Sequence, residues 1–305
     1  MIAIPSHVLV LVAAPGRSLQ ASMVASAASA LGIESSPNWL APARACELPI
    51  GEADAAAAEA VLRTMLPAET DLAVLPRAGR RKRLLVADMD STIITTESLD
   101  ELAAHAGIKD EIARITQAAM NGEIEFADAL RRRVAMLKGL ERGALDQVIR
   151  SMTVMPGAAA LVATMRAHGA YAVLVSGGFK PVTRRVCELV GFDTDCANDL
   201  EFAEDKLTGR VIEPILDRDA KLATLRRIAA ERGLALAETL AVGDGANDLP
   251  MLQAAGLGVA FRAKPSVAAA AKVRIEQADL TALLYLQGYR QSEIVDPART
   301  ARGQS

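Results

Sequence analysis

Carboxylates follow two short apolar runs of this sequence, where they could serve as metal ligands, nucleophiles or acids. Asp88 and Asp90 come after LLVA, and Asp244 and Asp248 come after TLAVG. Two carboxylates two residues apart need a cation or a shared proton. Magnesium suits them, because it takes oxygen ligands and retains waters or phosphate oxygens. The sequence therefore predicts a magnesium site, with Asp244 and Asp248 holding or orienting the ion from the side opposite Asp88.

Groups suited to binding phosphate lie in two further stretches. Ser176, Gly177 and Gly178 follow the apolar run AVLV, where a hydroxyl and free backbone N–H groups can hold phosphate oxygens. Lys221 stands at the start of a predicted helix, where its ammonium could neutralise charge on a transferring phosphoryl group. A plain strand-to-helix turn and a solvated lysine are the alternatives. Together the four segments supply the parts that phosphoryl transfer requires.

These four segments, in their order along the chain and each after a predicted strand, resemble the haloacid dehalogenase superfamily of aspartate-nucleophile phosphatases over residues 84–274. The resemblance implies that Asp88 attacks phosphorus and forms an aspartyl-phosphate. It also implies that Asp90 protonates the leaving oxygen and then activates water. A carboxylate is already ionised at neutral pH, so Asp88 needs no base to remove a proton before it attacks.

The same resemblance implies how the metal ion and the phosphate are held. Magnesium would be bound by three groups: Asp88, the backbone carbonyl of Asp90, and Asp244. Asp248 would orient the metal ligands and Lys221. The phosphoryl oxygens would be bound by the other motif residues: Ser176, Gly177 and Lys221.

The resemblance extends to the phosphoserine phosphatases of this superfamily. It implies that Glu97 binds a substrate ammonium and that Arg133 binds a substrate carboxylate in a paired geometry. Met120 and Phe126 would shield the reaction, and Asn247 would lie beside the leaving oxygen. A cation site and an anion site together describe a zwitterion. The alternatives are a helix N-terminal acid at Glu97 and a solvated helical face at Arg133.

The activity implied is magnesium-dependent hydrolysis of O-phospho-L-serine to L-serine and phosphate, the last step of serine biosynthesis. The same chemistry on phosphothreonine or a homoserine phosphate is an alternative, because one methyl group in a pocket discriminates only about 10–200-fold. A catalytically silent amino-acid sensor is another alternative, which the intact aspartates and lysine of the four motifs disfavour. A dehalogenase would use the same nucleophile without magnesium, which would leave Asp244 and Asp248 without a role.

The elements that must position these groups alternate between apolar strands and helices over residues 81–290. Strands are predicted at Leu84–Asp90, Ala172–Val175, Thr239–Val242, Gly258–Phe261 and Val273–Ile275. Helical patterns between them favour an α/β fold with a doubly wound, Rossmann-like parallel sheet, which binds ligands outside the carboxyl ends of its strands. Residues 97–152 carry several amphipathic helical patterns and are predicted to form a helical cap over the carboxylates.

Residues 1–80 are predicted to form a separate domain with the element order βαββαβ. The elements are strand His7–Ala13, helix Ser18–Leu31, strands Ile33–Leu40 and Arg44–Ile50, helix Asp54–Leu66 and strand Asp71–Leu75. That order is typical of an α+β ferredoxin-like sandwich. It resembles ligand-sensing domains of the ACT type, which implies an amino-acid effector, while a dimerisation or packing module is the alternative. Arg77–Arg83 is predicted to be a solvated linker, and residues 291–305 a polar tail.

Composition limits the expected partners. The 305 residues include 34 Lys and Arg against 37 Asp and Glu, for a net charge of −3. Without an overall basic field, nucleic acid and anionic membranes are not expected partners. No apolar run approaches the ~20 residues that span a bilayer. Three cysteines without a Cys-x-x-Cys pair argue against disulfides or a zinc site. We expect a cytoplasmic enzyme with a small-molecule substrate, with a homodimer left open.

Overall fold

The computed structural model describes residues 6–51, 55–120, 123–216 and 218–297, without the side chains at positions 55–57, 120 and 218. Residues 298–305 of the predicted tail lie outside this description, as does Asp54 of a predicted helix. No helix in the described ranges is long and apolar enough to cross a bilayer.

The first part of the chain folds as an antiparallel sheet with two helices. The strands are β1 (His7–Ala13), β2 (Asn38–Ala41), β3 (Ala45–Ile50) and β4 (Thr70–Pro76), and the helices are α1 (Ala21–Ala30) and α2 (Ala55–Met65). The spatial order β2-β3-β1-β4, with βαββαβ along the chain, is the ferredoxin-like arrangement. The predicted strand Ile33–Leu40 is wrong in its first half. Pro37 lacks the N–H that a sheet ladder needs, and the strand begins only at Asn38.

Alternate residues of β1 pack on opposite sides of this sheet. Leu9 and Leu11 join a cluster with the helix residues Val24 and Leu62. The residues between them, such as Val10, belong to the main core of the rest of the chain. The sheet is therefore covered on both faces, by its own helices on one side and by the second part of the chain on the other.

The described residues after position 83 form a seven-stranded sheet. Its strands are β5 (Leu84–Asp88), β6 (Tyr171–Phe179), β7 (Thr194–Ala203), β8 (Lys206–Ile212), β9 (Thr239–Gly243), β10 (Leu257–Phe261) and β11 (Val273–Ile275). Their order is β11-β10-β9-β5-β6-β7-β8, with every neighbouring pair parallel except β7 and β8. The accompanying helices are α7 (Ala158–Ala167), α8 (Lys180–Val190), α9 (Arg218–Glu231), α10 (Leu249–Ala254), α11 (Pro265–Ala270) and α12 (Ala282–Leu286). The predicted doubly wound core is confirmed.

Between β5 and β6 the chain forms a group of helices. They are α3 (Ser98–His105), α4 (Lys109–Met120), α5 (Phe126–Met136) and α6 (Arg142–Ser151). The hairpin β7–β8, which the sequence patterns did not predict, packs against α5. The backbone also joins them, because the Gly139 N–H donates to the Leu207 carbonyl and the Leu207 N–H donates to the Leu140 carbonyl.

The basic segment Arg77–Arg83 is mostly exposed, as predicted, but it also contacts both parts of the chain. Arg80 pairs with Glu47 of the first sheet at 2.6 Å, and its side chain is only 13% exposed. The Lys82 N–H donates to the Gln287 side chain, and the Lys82 ammonium donates to the Ala237 carbonyl. The segment is therefore exposed but held to both parts of the chain by an ion pair and hydrogen bonds. The domain boundary near residue 80 stays a prediction.

Candidate active site

Asp88 and Asp248 meet Lys221 at the carboxyl edge of the seven-stranded sheet. Asp88 is the last residue of β5, and Asp248 immediately precedes α10. The Lys221 ammonium, from the first turn of α9, lies 2.7 Å from Asp88 Oδ1 and 2.6 Å from Asp248 Oδ1. Burial lowers the pKa of Lys221, but the two carboxylates outweigh burial and hold that pKa above its ordinary value. The lysine therefore stays charged and fixes both carboxylates.

Two glycines let Asp248 reach this position. A Cβ on Gly243 would lie 2.4 Å from Asp248 Cγ, so only glycine leaves room for the carboxylate. The Gly245 N–H donates to Asp248 Oδ2 at 2.9 Å. Asp248 thus has one oxygen on Lys221 and the other on the backbone.

Asp88, Asp244 and Asp248 fit a divalent metal ion. Each places one carboxylate oxygen within 4.8 Å of the others, and all three are buried. Burial and the charge of Asp248 raise the pKa of Asp88 well above its usual value, and the same two causes raise the pKa of Asp244 to about 6. Lys221 pairs with Asp88 and Asp248, and the charge of Lys264 acts on Asp244, but two ammonium groups do not balance three carboxylates. A bound cation would offset the repulsion between the buried carboxylates, and carboxylate oxygens are ligands of hard divalent ions.

Asp90 is held beside Asp88 by two donors. The Ser98 N–H donates to Asp90 Oδ1 at 2.8 Å, and the Ser176 hydroxyl donates to Asp90 Oδ2 at 3.3 Å. Burial and then the charge of Glu97 raise the pKa of Asp90 to about 6. A carboxyl group with this pKa can exist in either protonation state near neutral pH, as a group that gives and takes a proton must.

The chain turns sharply between these aspartates and the cap. Ser91 has φ +54°, in the left-handed region that residues other than glycine seldom adopt. The Ser91 hydroxyl donates to Glu97 Oε1 at 2.7 Å. The turn thereby ties Glu97 to the loop that carries Asp90.

The segment Ser176 to Gly178 lines the cavity next to Asp90. The Gly178 N–H donates to Ser176 Oγ at 2.8 Å. A Cβ on Gly178 would lie 3.0 Å from Ser176 Oγ, 3.1 Å from Asp90 Oδ2 and 3.2 Å from Ser98 Oγ. Because glycine has no side chain, these three polar atoms can converge at one place.

The cap residues close a cavity of about 140 Å³ over these groups. Phe126 lies over Gly177, where an added Cβ would be 3.2 Å from Phe126 Cζ. Arg133 lines the same cavity, with its guanidinium donating to the Ala129 carbonyl and to Thr116 Oγ1, each at 3.2 Å. Glu97 also lines it. The cavity therefore presents one cation and one anion from the cap above the aspartates of the sheet.

The other predicted site residues are placed as follows. Asn247 and Asp244 line the cavity from the loop after β9, and Ser176 and Gly177 line it from the end of β6. Met120 is the last residue of α4, but its side chain lies outside the described part of the structure. The predicted residues with described side chains thus meet at one edge of the sheet.

Several site residues escaped the sequence analysis. Thr92 donates its hydroxyl to Asp244 Oδ1 at 3.2 Å, and Ser98 lines the cavity. Lys264 also lines it, and its charge counteracts the raised pKa of Asp244. Lys264 lies in the loop after β10, so the rule that ligands bind beyond the carboxyl ends of parallel strands was a signal that could have found it. Asn198, whose side chain donates to the Gly177 carbonyl, gave no such signal.

A family comparison matches residues 85–253 to the haloacid dehalogenase-like hydrolases. The chain is 45% identical over 240 residues to a phosphoserine phosphatase of Streptomyces coelicolor and 43% identical over 217 residues to one of Mycobacterium tuberculosis. These alignments cover 76% and 71% of this chain but only 58% and 53% of those proteins. The chain is also 48% identical over 210 residues to a probable phosphoserine phosphatase of Schizosaccharomyces pombe, covering 68% of this chain and 70% of that protein.

The fold of the chain is similar to the folds of solved structures of this family. A HAD family hydrolase of Salmonella enterica serovar Typhi superposes with a TM-score of 0.82 at 27% identity, covering 92% of this chain and 98% of that one. A phosphoserine phosphatase solved as a phospho-aspartyl intermediate analogue superposes with a TM-score of 0.63 at 38% identity. It covers 67% of this chain and 98% of that one. The first match extends over both sheets, and the second matches a smaller part of the chain.

Proposed function

Because this chain belongs to the haloacid dehalogenase-like hydrolase family, we propose that it hydrolyses O-phospho-L-serine to L-serine and phosphate. The observation that carries the proposal is the cavity above Asp88, which holds Arg133 and Glu97 on the cap side. A zwitterion with a phosphate group needs a cation for its carboxylate, an anion for its ammonium and a reactive group below. The relatives named phosphoserine phosphatase support the same substrate.

In the first step the Asp88 carboxylate attacks phosphorus. An Asp88–phosphorus bond forms, the bond between phosphorus and the serine oxygen breaks, and the proton of Asp90 goes to that oxygen. The charged Lys221 and the donors around Ser176 stabilise the phosphoryl oxygens as the charge shifts. The products of this step are serine and an aspartyl-phosphate on Asp88.

In the second step water cleaves the aspartyl-phosphate. Asp90, now ionised, takes a proton from the water, whose oxygen attacks phosphorus, and the bond to Asp88 breaks. The pKa of Asp90, raised to about 6, suits both directions of proton transfer. Phe126 and the rest of the cap keep bulk water away until serine has left.

We assign magnesium as the metal ion of the site. Asp88 and Asp244 would bind it together with the Asp90 backbone carbonyl, and Asp248 would orient Lys221 and the metal ligands. When bound, the ion would neutralise charge on the phosphoryl group and on the carboxylates.

Glu97, Arg133, Asn247, Met120 and Phe126 are assigned to the substrate. Arg133 would pair with the serine carboxylate, Glu97 with the ammonium, and Asn247 would lie beside the leaving oxygen. Phosphothreonine and a homoserine phosphate remain competing substrates of the same chemistry, because these charges do not distinguish them from phosphoserine.

Phosphate release from a panel of esters tests the proposal. The panel is phosphoserine, phosphothreonine, glucose 6-phosphate and p-nitrophenyl phosphate, each with magnesium and with excess chelator. We expect the highest kcat/KM on phosphoserine and its loss with chelator. Activity on every ester except phosphoserine would overturn the assignment of the substrate. Activity unaffected by chelator would overturn the assignment of the metal ion. If no phosphate is released from any of the four esters, a catalytically inactive amino-acid sensor is favoured.

We also propose a cellular location for the protein and two roles to test for its N-terminal sheet. Free cysteines in the described structure fit a reducing compartment, and we propose a cytoplasmic location.

An amino-acid effector would have to bind the N-terminal domain away from the face of its sheet that packs on the main core. Calorimetry of L-serine with the full chain tests for an effector, and the molar mass measured by light scattering tests for a homodimer.

A further inference from the structure

We propose that Asn198 is a positioning residue that sets the orientation of Ser176 to Gly178, the phosphate-binding loop at the end of β6, where the pairing of β6 with β7 is interrupted. The inference rests on the proposed function, since it concerns the groups that would hold the phosphoryl oxygens. Asn198 lies in β7, does not line the cavity and is 1% exposed. It would therefore act through the loop and not on the substrate.

The Asn198 side chain joins two segments that are far apart in the sequence. Its Nδ2 donates to the Gly177 carbonyl at 2.9 Å and to the Leu216 carbonyl at 3.4 Å. Its Oδ1 accepts from the Leu216 N–H at 2.7 Å. The amide is thus used as donor and acceptor at once, which neither a carboxylate nor an alkyl side chain can reproduce.

The contact with Gly177 fixes one peptide plane at the site. In a trans peptide the carbonyl and the following N–H point in opposite directions. Because Asn198 holds the Gly177 carbonyl, the Gly178 N–H is directed to the other side, where it donates to Ser176 Oγ. Two adjacent glycines leave this plane free to rotate by themselves. Asn198 supplies the restraint that the loop sequence lacks.

The contacts with Leu216 join the loop to a residue near the start of α9. Leu216 lies shortly before α9, and Lys221 in the first turn of α9 contacts Asp88. One buried amide therefore contacts both the loop at the end of β6 and Leu216, which comes shortly before Lys221 in the sequence. Buried polar groups with all their partners rigidify their surroundings, and losing one partner leaves the others unsatisfied.

Two substitutions separate the donor from the rest of the side chain. Asn198→Asp keeps the shape and the acceptor for the Leu216 N–H but loses the donor to the Gly177 and Leu216 carbonyls. Asn198→Ala loses both. We measure kcat/KM on phosphoserine and on p-nitrophenyl phosphate, the inhibition constant of inorganic phosphate, and Tm. Thr208→Ala is the control, because it removes a hydrogen bond to Glu201 within the same hairpin without touching the loop.

We expect both Asn198 variants to lower kcat/KM on the two esters in parallel, by about 10- to 100-fold, since a misplacement near 1 Å costs about that much. The inhibition constant of phosphate should rise, while Thr208→Ala leaves both constants unchanged. The carboxyl group that Asn198→Asp introduces can donate once protonated, so the activity of that variant relative to the wild type should recover as the pH falls.

Several results would overturn the inference. An unchanged inhibition constant of phosphate in Asn198→Asp, or effects no larger than those of Thr208→Ala, would show a purely structural role. If Asn198→Ala does not fold, the pH-dependent recovery of Asn198→Asp decides alone. Wild-type protein that releases no phosphate from either ester would instead refute the proposed function, which keeps the two failures distinct.

Discussion

Replacing Asp88 by asparagine removes the attacking anion with little change in size. An amide is a poor nucleophile, so Asp88→Asn should lower kcat by at least about a thousandfold. Phosphate release on phosphoserine measures this, and circular dichroism checks the fold. Asp205→Asn is the matched control, because Asp205 is exposed and asparagine also tolerates its positive φ of 59°. Normal kinetics in Asp88→Asn would refute the nucleophile assignment.

The reactivity of Cys46 tests the burial of its thiol in the first sheet. Burial and then the charge of Glu47 raise the pKa of the Cys46 thiol to about 12. At pH 8 only about one thiol in ten thousand is then ionised, and only the thiolate reacts. Alkylation of Cys46 in the folded protein, followed by peptide mass spectrometry, should be far slower than in denaturant and should accelerate as the pH rises. Equal rates in both states would contradict this burial.

Among the helices, α5 carries the residue that should select the substrate. Arg133 lines the cavity from α5, whereas Arg132 on the same helix is exposed. Arg133→Ala should raise KM for phosphoserine at least about tenfold, since it removes a charged pair with the substrate carboxylate. It should change KM much less for p-nitrophenyl phosphate, which has no carboxylate. Arg132→Ala should leave both constants unchanged, and an equal effect of Arg133→Ala on both esters would remove Arg133 from substrate selection.

The elements that sequence reasoning found and missed differ in how they are buried. Strand β5 is buried along its whole length, so its apolar run was visible, and Asp88 at its end was placed by the rule for parallel sheets. Strand β8 lies at the sheet edge and is mostly exposed or half-buried, and β7 is only partly buried. Their hairpin has no comparable apolar signal. Asn198 lies in this hairpin and was missed with it. Its partners Gly177 and Leu216 also become its neighbours only in the folded chain.

The two sheets of the protein share one apolar core. Val10 of β1 belongs to the same buried cluster as Leu283 of α12 and Leu85 of β5. Asp71 of β4 adds a polar connection, because its carboxylate accepts the N–H groups of three consecutive residues, 276–278. Sequence patterns predicted each sheet separately but not this contact, which joins residues 205 to 207 positions apart. The N-terminal sheet is therefore built into the body that carries the site.

That shared core predicts a single cooperative unfolding transition. Trp39, the one tryptophan of the sequence, lies in β2 and reports on the first sheet, while the proposed phosphatase activity reports on the second. In urea the fluorescence and activity curves of the wild type should coincide, as two-state unfolding requires. Asp71→Ala leaves three N–H groups without their acceptor and should lower the free energy of unfolding by about 2–4 kcal/mol. Asp205→Asn, at an exposed position, should not change it. Wild-type curves with separate midpoints would mean that the first sheet unfolds independently, against the packing of Val10 and Asp71 on the rest of the chain.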